Sequence, residues 1–501
     1  MKKKKDLFLV IFVVCMIVIP LAVFGQMSRI IGSSENERAN AIVNSITPVN
    51  GYVMAGFTTS CGVGTPNAKN AVVVRTNPDG TPVNSVVFGG YENEEATSII
   101  KTSDQCYVVT GWTRSYNTLK TYSDIFVIKF NPDLTVVWAK IYHLTPYDLD
   151  HKANSIIEVS SALNGGYILT GSACGPSSGT MRILVMRLDV NGNYSWARTF
   201  GYSNNLNNEG FGITEVFDDT APNVKFAVVG HTSLDQSVAG DAFIMRLTSY
   251  GNTVGNVTMF NGNYEDYAQS VVWDGTCSTP GITVAGWTKS IGNGWPSYTN
   301  IWAARINAID GSPIWSNVYY WDGGLERDDK VLGDTSLIRI TTGKPCSGYI
   351  LAGLTYSRGP QAGNLPNVLL MCLKGSGSLG WGSLASVHPS FTLYNNSDEA
   401  YGVVESTAIP GLPWPGDGFT IAGWSNSYSS STPPPDDKIL LSAFAQNGTR
   451  PNGCANQYLM QYSPFSMGSS YFSTYTNGAT IQDFGVSSCS MVSIEFCPDK
   501  I

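Results

Sequence analysis

The feature that most restricts what this chain can fold into is a phrase written out seven times. The glycine that opens a Gly-x-Thr-like triplet falls at Gly56, Gly111, Gly171, Gly230, Gly286, Gly353 and Gly423. A second landmark sets Asp or Asn five residues ahead of a base, in Asn70…Arg75, Asp124…Lys129, Asp241…Arg246 and Asn300…Arg305. Arg187 keeps the basic position behind Arg182, while Cys372 and Ser442 replace the base behind Asn367 and Asp437. A third landmark, a small or aromatic residue opening a strand, falls at Ala39, Ala96, Ala153, Gly210 and Tyr267, 57 residues apart each time. Repetition of this kind outranks every other signal about fold.

Each copy holds four short segments rich in β-branched and aromatic residues. In the second copy they are Glu95 to Ile100, Cys106 to Gly111, Ile125 to Phe130 and Val136 to Ile141. Turn residues separate them, and Asn77-Pro-Asp-Gly80, Asp189-Val-Asn-Gly192 and Gln446-Asn-Gly448 read as hairpin turns. Four antiparallel strands repeated seven times predict an all-β, seven-bladed β-propeller. A repeat of roughly 60 residues is too long for one solenoid coil.

The two ends explain each other. Met27-Ser-Arg-Ile-Ile-Gly32 resembles the end of a fourth strand, yet no first three precede it. The seventh copy runs from Asp398 to Asn447 and then leaves the pattern. Residues 27–32 are therefore expected to complete the last blade, so that the propeller spans 27–449 with its sheet edges closed. Blade six is the least regular, with Arg327 to Ile340 a poor match. Residues 450–501 form a short non-repeating, cysteine-containing extension.

Residues 1–25 read as a signal peptide: Lys2 to Lys5, an apolar run from Leu7 to Phe24, and a cleavage-like Val23-Phe-Gly25. An uncleaved anchor is the alternative, and Pro20 with the small-residue end favours cleavage. Export to the cell surface or medium follows, with no membrane contact after cleavage. A net charge of −8 argues against nucleic acid as a partner. Charged residues make up only 14%, against about a quarter in ordinary domains, so the surface is built from Asn, Ser, Thr, Tyr and Gly. In an exported chain some cysteines should pair. Cys277 with Cys346 in neighbouring blades, and Cys454 with Cys489 or Cys497, are the candidates.

Three sets of residues could carry function. The bases of the third strands (Arg75, Lys129, Arg187, Arg246, Arg305) would make either an anion-binding ring or structural partners of a neighbouring carboxylate or carbonyl, and the second reading fits their place in a strand that is not central. Acids opening the first strands, among them Glu94, Glu95, Glu209, Asp266 and Glu399, could rim the central channel and hold a cation through oxygen ligands. Alternatively each accepts hydrogen bonds from its own loop. The long loops after the second strands are aromatic, and Tyr116, Tyr122, Trp295, Tyr298 and Tyr428 are expected to expose rings to a sugar or a protein partner. The four histidines lie in separate loops without metal-ligand spacing, and no nucleophile elbow, phosphate loop or Cys-x-x-Cys occurs. No cofactor, metal or catalytic residue is assigned.

The phrases Gly165-Gly-Tyr-Ile-Leu-Thr-Gly171 and Asp241-Ala-Phe-Ile-Met-Arg-Leu247 resemble secreted bacterial β-propeller repeat proteins. The resemblance covers about 35–449; it implies the fold and export, and brings no catalytic residues. The expected function is a non-catalytic extracellular structural or adhesive role with self-association, as a filament or surface-layer subunit. A carbohydrate-binding module recognising surface glycans is the rival reading, and a secreted hydrolase or quinoprotein enzyme the third.

Overall fold

The computed structural model describes residues 28–445 except 34, 48–50, 63–66, 117–121, 145–149, 175–180, 202–207, 233–239, 261, 276–278, 293–296, 321–326, 341–347, 358–364, 386–396, 407–417 and 427–435, together with the strand at 493–495. Seven antiparallel sheets follow one another as blades, each with strands a to d running outward from the axis. Blade two is representative: Glu94–Lys101, Tyr107–Thr113, Asp124–Phe130 and Val136–Tyr142. Among the described residues the helical content is one 3-10 turn, Ser161–Leu163.

Strands b and c are buried along nearly their whole length because a neighbouring blade covers each of their faces. Strand b of blade one, Tyr52–Thr58, and strand c, Asn70–Thr76, have no exposed position. That is why these segments read as continuous apolar runs instead of alternating ones. Strand a alternates. In Glu94–Lys101 the even positions enter the blade interface and the odd ones face the axis side, until a bulge shifts the register.

That bulge explains the landmark glycines. In six blades the a–b register slips by one residue after the small landmark, between Ala39 and Ala41, Ala96 and Ser98, Ala153 and Ser155, Gly210 and Gly212, Ala268 and Ser270, and Ala400 and Gly402. The residue opposite is always the repeat glycine. Strand a there comes so close that a Cβ on Gly111 would lie 2.0 Å from the Glu95 carbonyl oxygen. Glycine is retained because a backbone occupies the side-chain space. One landmark is corrected: Gly286 pairs with Ala268, so Tyr267 stands one position early and the 57-residue spacing breaks in blade five.

The amino-terminal strand closes the ring as expected. Ser28–Ile31 pairs antiparallel with strand c of blade seven, Arg29 opposite Leu441 and Ile31 opposite Ile439. Ile31 is 1% exposed, and Arg38 binds Asp437 across the closure at 2.5 Å. The carboxy-terminal extension contributes one described strand, Ser493–Glu495, which adds to the outer edge of blade two opposite Lys140 to Tyr142.

Side chains of one blade also reach the c–d turn of the next. Tyr142 Oη donates to Gly192 O at 2.5 Å, Asn84 to Asp133 O at 2.8 Å, Arg29 to Asp79 O at 3.0 Å and Tyr319 Oη to Gly377 O at 2.5 Å. The basic position of strand c has the same task. Arg75 donates to Thr47 O and Pro132 O, Arg246 to Ala308 O and Ile309 O, and Arg305 to Thr279 O. These bases cap loop carbonyls on the a–b/c–d face, which makes them structural cations.

Candidate functional site

The opposite face, where b–c and d–a loops gather, opens onto the axis. Two successive positions of strand a face it differently. The first, occupied by Glu37, Glu94, His151, Asn208, Asp266, Asp329 and Asp398, is buried. Glu37 pairs with Lys438 of blade seven at 3.3 Å, while other acids are held by their own blade: Glu94 accepts from Thr113 Oγ1 at 2.8 Å and from Gly90 N at 2.9 Å. Asp266 accepts from Ser290 Oγ at 2.8 Å, and Asp329 from Ser357 Oγ at 3.2 Å. Burial pushes the Glu94 carboxyl up and that of Asp266 up to about 8. Their donors come from the Gly-x-Thr-x-Ser phrase, so the conserved-looking spacing within the repeat is a hydrogen-bonding device inside each blade.

The second position is half-buried and lines the mouth: Arg38, Glu95, Lys152, Glu209, Tyr267, Lys330 and Glu399. Bases and acids alternate around it. Each base leans back on the aromatic ring of the preceding blade, with Arg38 over Trp424 at 4.0 Å, Lys152 over Trp112 at 4.8 Å and Lys330 over Trp287 at 4.9 Å. Glu95 and Glu209 bridge blades in the same sense. Asn40 donates to Glu95 and Asn154 to Glu209, both at 2.9 Å, and Lys69 pairs with Glu95 at 2.9 Å. Glu399 accepts from Tyr401 Oη at 2.9 Å and Trp424 Nε1 at 3.1 Å, and burial raises its carboxyl. Tyr267 stands between His231 and Trp287, with centroids 4.0 and 4.2 Å away. Burial lowers the basicity of His231.

The expected cation rim therefore divides. Glu94 and Asp266 lie inside blades and do not face the mouth. Glu95, Glu209 and Glu399 do face it, but Arg38, Lys152 and Lys330 stand between them, so the carboxylates do not converge. Among the described residues no group of three or more His, Cys, Asp or Glu is placed to hold a metal.

The aromatic loops are only partly described. Trp295 and Tyr428 lie outside the described residues, as do Cys277, Cys346, Cys454, Cys489 and Cys497. Tyr116 is half-buried, packs on the core between blades one and two, and donates to Gly89 O at 3.2 Å, so it is not the exposed ring expected of it. Burial raises its phenol. Tyr122 is half-buried, and Tyr298 accepts from Arg327 at 3.1 Å beneath its guanidinium. Among the described residues the exposed rings on this face are Tyr91 (65%) and Tyr264 (37%), both in d–a loops that the sequence reading passed over. The Tyr-Glu pairs just before strand a were the available signal. Cys106, Cys174 and Cys372 are thiols, and Cys61 Sγ lies 3.9 Å from Ser33 Oγ.

The mouth has a floor that sequence reasoning also missed. In blade six strand a is broken into Asp329–Val331 and Leu337–Arg339, both paired to strand b. Where other blades bulge by one residue, this one inserts Leu332, Gly333, Asp334 and Thr335. The insertion crosses the axis, and Asp334 reaches other blades: Ser98 Oγ donates to its Oδ2 at 2.6 Å, and Ser270 Oγ to its carbonyl at 2.5 Å. Space for it comes from the small axial residues Ala41, Ser98, Ser155, Gly212, Ser270 and Gly402. A Cβ on Gly402 would lie 2.5 Å from Thr335 Oγ1. The poor repeat match at Arg327 to Ile340 was the visible sign.

No protein-family model matches this chain, and no curated protein matches it. A search of solved structures finds similarity to the crystal structure of Sqt1 from Chaetomium thermophilum, with a TM-score of 0.37, 10% identity, and coverage of 83% of this chain and 97% of that one.

Proposed function

We propose that the protein is a secreted, non-catalytic propeller with a structural or adhesive role, which self-associates by stacking one ring face on the other. The observation that carries this reading is the distribution of exposed apolar side chains. On the a–b/c–d face Val190, Phe217, Tyr250 and Ile309 project from turns of three consecutive blades, with exposures of 52, 61, 72 and 50%. Tyr91 and Tyr264 project from the other face. Two different apolar surfaces on opposite faces favour head-to-tail contacts, which extend instead of closing. The mouth's charged groups are engaged with neighbouring blades, which supports a binding or packing role over acid–base chemistry. Sedimentation and electron microscopy of the secreted protein test the reading. Concentration-dependent assemblies that Phe217→Ser with Tyr250→Ser dissolves are expected; single rings at every concentration overturn it.

A second reading is glycan binding by the b–c/d–a face, favoured by Tyr264 beside Glu265 at the edge of the mouth. A glycan array checks it, with Tyr264→Ala and Trp295→Ala expected to lose any hit.

A further inference from the structure

The insertion in blade six brings a carboxylate to the propeller axis without bringing a base to meet it. Asp334 Oδ2 is bonded by Ser98, and the Ser155 hydroxyl and the Asp334 and Thr335 backbone N–H groups also act on the carboxylate, but Oδ1 has almost no accessible surface and no well-aligned hydrogen bond of its own. The next side chain repeats the situation, because Thr335 Oγ1 is equally enclosed and unpartnered. Buried oxygens are rarely left in this state, and a desolvated carboxylate without counter-charge is among the costliest arrangements in a folded chain.

The neighbouring blades bring oxygens toward the insertion. Ser98, Ser155 and Ser270 come from strands a of blades two, three and five, all at most 3% exposed. The Asn40 and Tyr401 carbonyls approach Gly333 from blades one and seven, within 3.4 and 2.3 Å of where its Cβ would be. A donor set of one carboxylate, hydroxyls and backbone carbonyls is the chemistry of a hard cation. A water could bridge the two oxygens but would leave the charge uncompensated. Asp334 as a whole is half-buried, its carboxylate being the enclosed part.

We propose that Asp334 and Thr335 hold one hard, oxygen-coordinated cation on the propeller axis, with serine hydroxyls of neighbouring blades completing its shell. One carboxylate gives a modest site, with affinity expected in the range of roughly 0.1–1 mM for Ca2+. Such an ion would tie the insertion more firmly to the blades around it and fix the floor of the mouth.

The test is thermal unfolding and isothermal titration of the chelator-treated full-length protein with Ca2+, Mg2+, Na+ and K+ at constant ionic strength. At least one ion should raise the melting temperature saturably and bind with a stoichiometry near one. Asp334→Asn should abolish that response, and Thr335→Val should weaken it by about tenfold or more while keeping the fold. Should Asp334→Asn not fold, Thr335→Val with Ser98→Ala decides. No response to any of the four ions, or a response unchanged in these variants, overturns the site. A melting temperature that depends on pH but on no cation points to a protonated Asp334 and overturns it too.

Discussion

The Cβ that Gly111 lacks would lie 2.0 Å from the carbonyl oxygen of Glu95 and 2.9 Å from the Ala96 Cα. Neither atom belongs to a flexible side chain, so the clash can be relieved only by separating strands a and b of blade two. Gly111→Ala should destabilise the protein by about 3–5 kcal/mol, near the upper end for one substitution. Urea unfolding checks this. An equal alanine substitution at Thr97, the bulged residue itself, should cost much less, about 1 kcal/mol for its bond to Ala153 O at 2.8 Å.

Ring closure rests on a strand borrowed from the other end of the chain. Ile31 sits in the core between blades one and seven, so Ile31→Ala should cost about 2–4 kcal/mol. Val83, on an outer strand and 43% exposed, is the matched control and should change stability by well under 1 kcal/mol. Denaturant midpoints measured for both variants decide whether closure carries this weight.

Enclosure at the axis holds the Asp334 carboxyl up to about 7, against an ordinary value near 4. A carboxyl raised by folding keeps its proton in the native state over a window where the unfolded chain loses it. Stability is therefore undiminished below about pH 4 and falls as pH rises toward 7. At ~1.4 kcal/mol per unit the ceiling is about 4 kcal/mol. In chelator-treated protein, Asp334→Asn should melt several degrees above the parent at pH 8, and the gap should close by about pH 4. Melting curves across that range provide the check.

His231 is stacked on Tyr267 and buried, which lowers its affinity for a proton. The sign is opposite to that of Asp334: the unfolded chain binds the proton first, so stability falls as pH drops below about 6.5. In the NMR titration of the ring protons, His231 should stay neutral to lower pH than a model histidine.

Burial pushes the Cys372 thiol up to about 11. Little thiolate exists at pH 8, so iodoacetamide should label Cys372 at least tenfold more slowly in the native protein than after unfolding in guanidinium. Peptide mapping of the labelled sites checks it.

Much of the architecture was legible from the repeat alone. Seven glycines at fixed points of a four-strand phrase require seven equivalent blades, and a stray fourth strand at Arg29 to Gly32 had one place to go. Local chemistry was legible where the repeat states it at one fixed position, as with the strand-c bases, whose place away from the axis marked them as structural. The carboxylates were harder. Glu94 and Glu95 are neighbours in sequence, yet one is sealed inside a blade by Thr113 and the other bridges to blade one through Asn40 and Lys69. Period-two alternation separates them, but only the packing of a second blade says which side is closed.

Sequence by itself determined the number of blades and the closure, because both follow from counting one repeated unit whose hydrogen bonds are local. Tertiary structure alone decided the contents of the axis. The alternation of Arg38, Glu95, Lys152 and Glu209 comes from residues 57 apart that meet only in the ring. Asp334 became an axial group only because small residues from six other blades leave room for it.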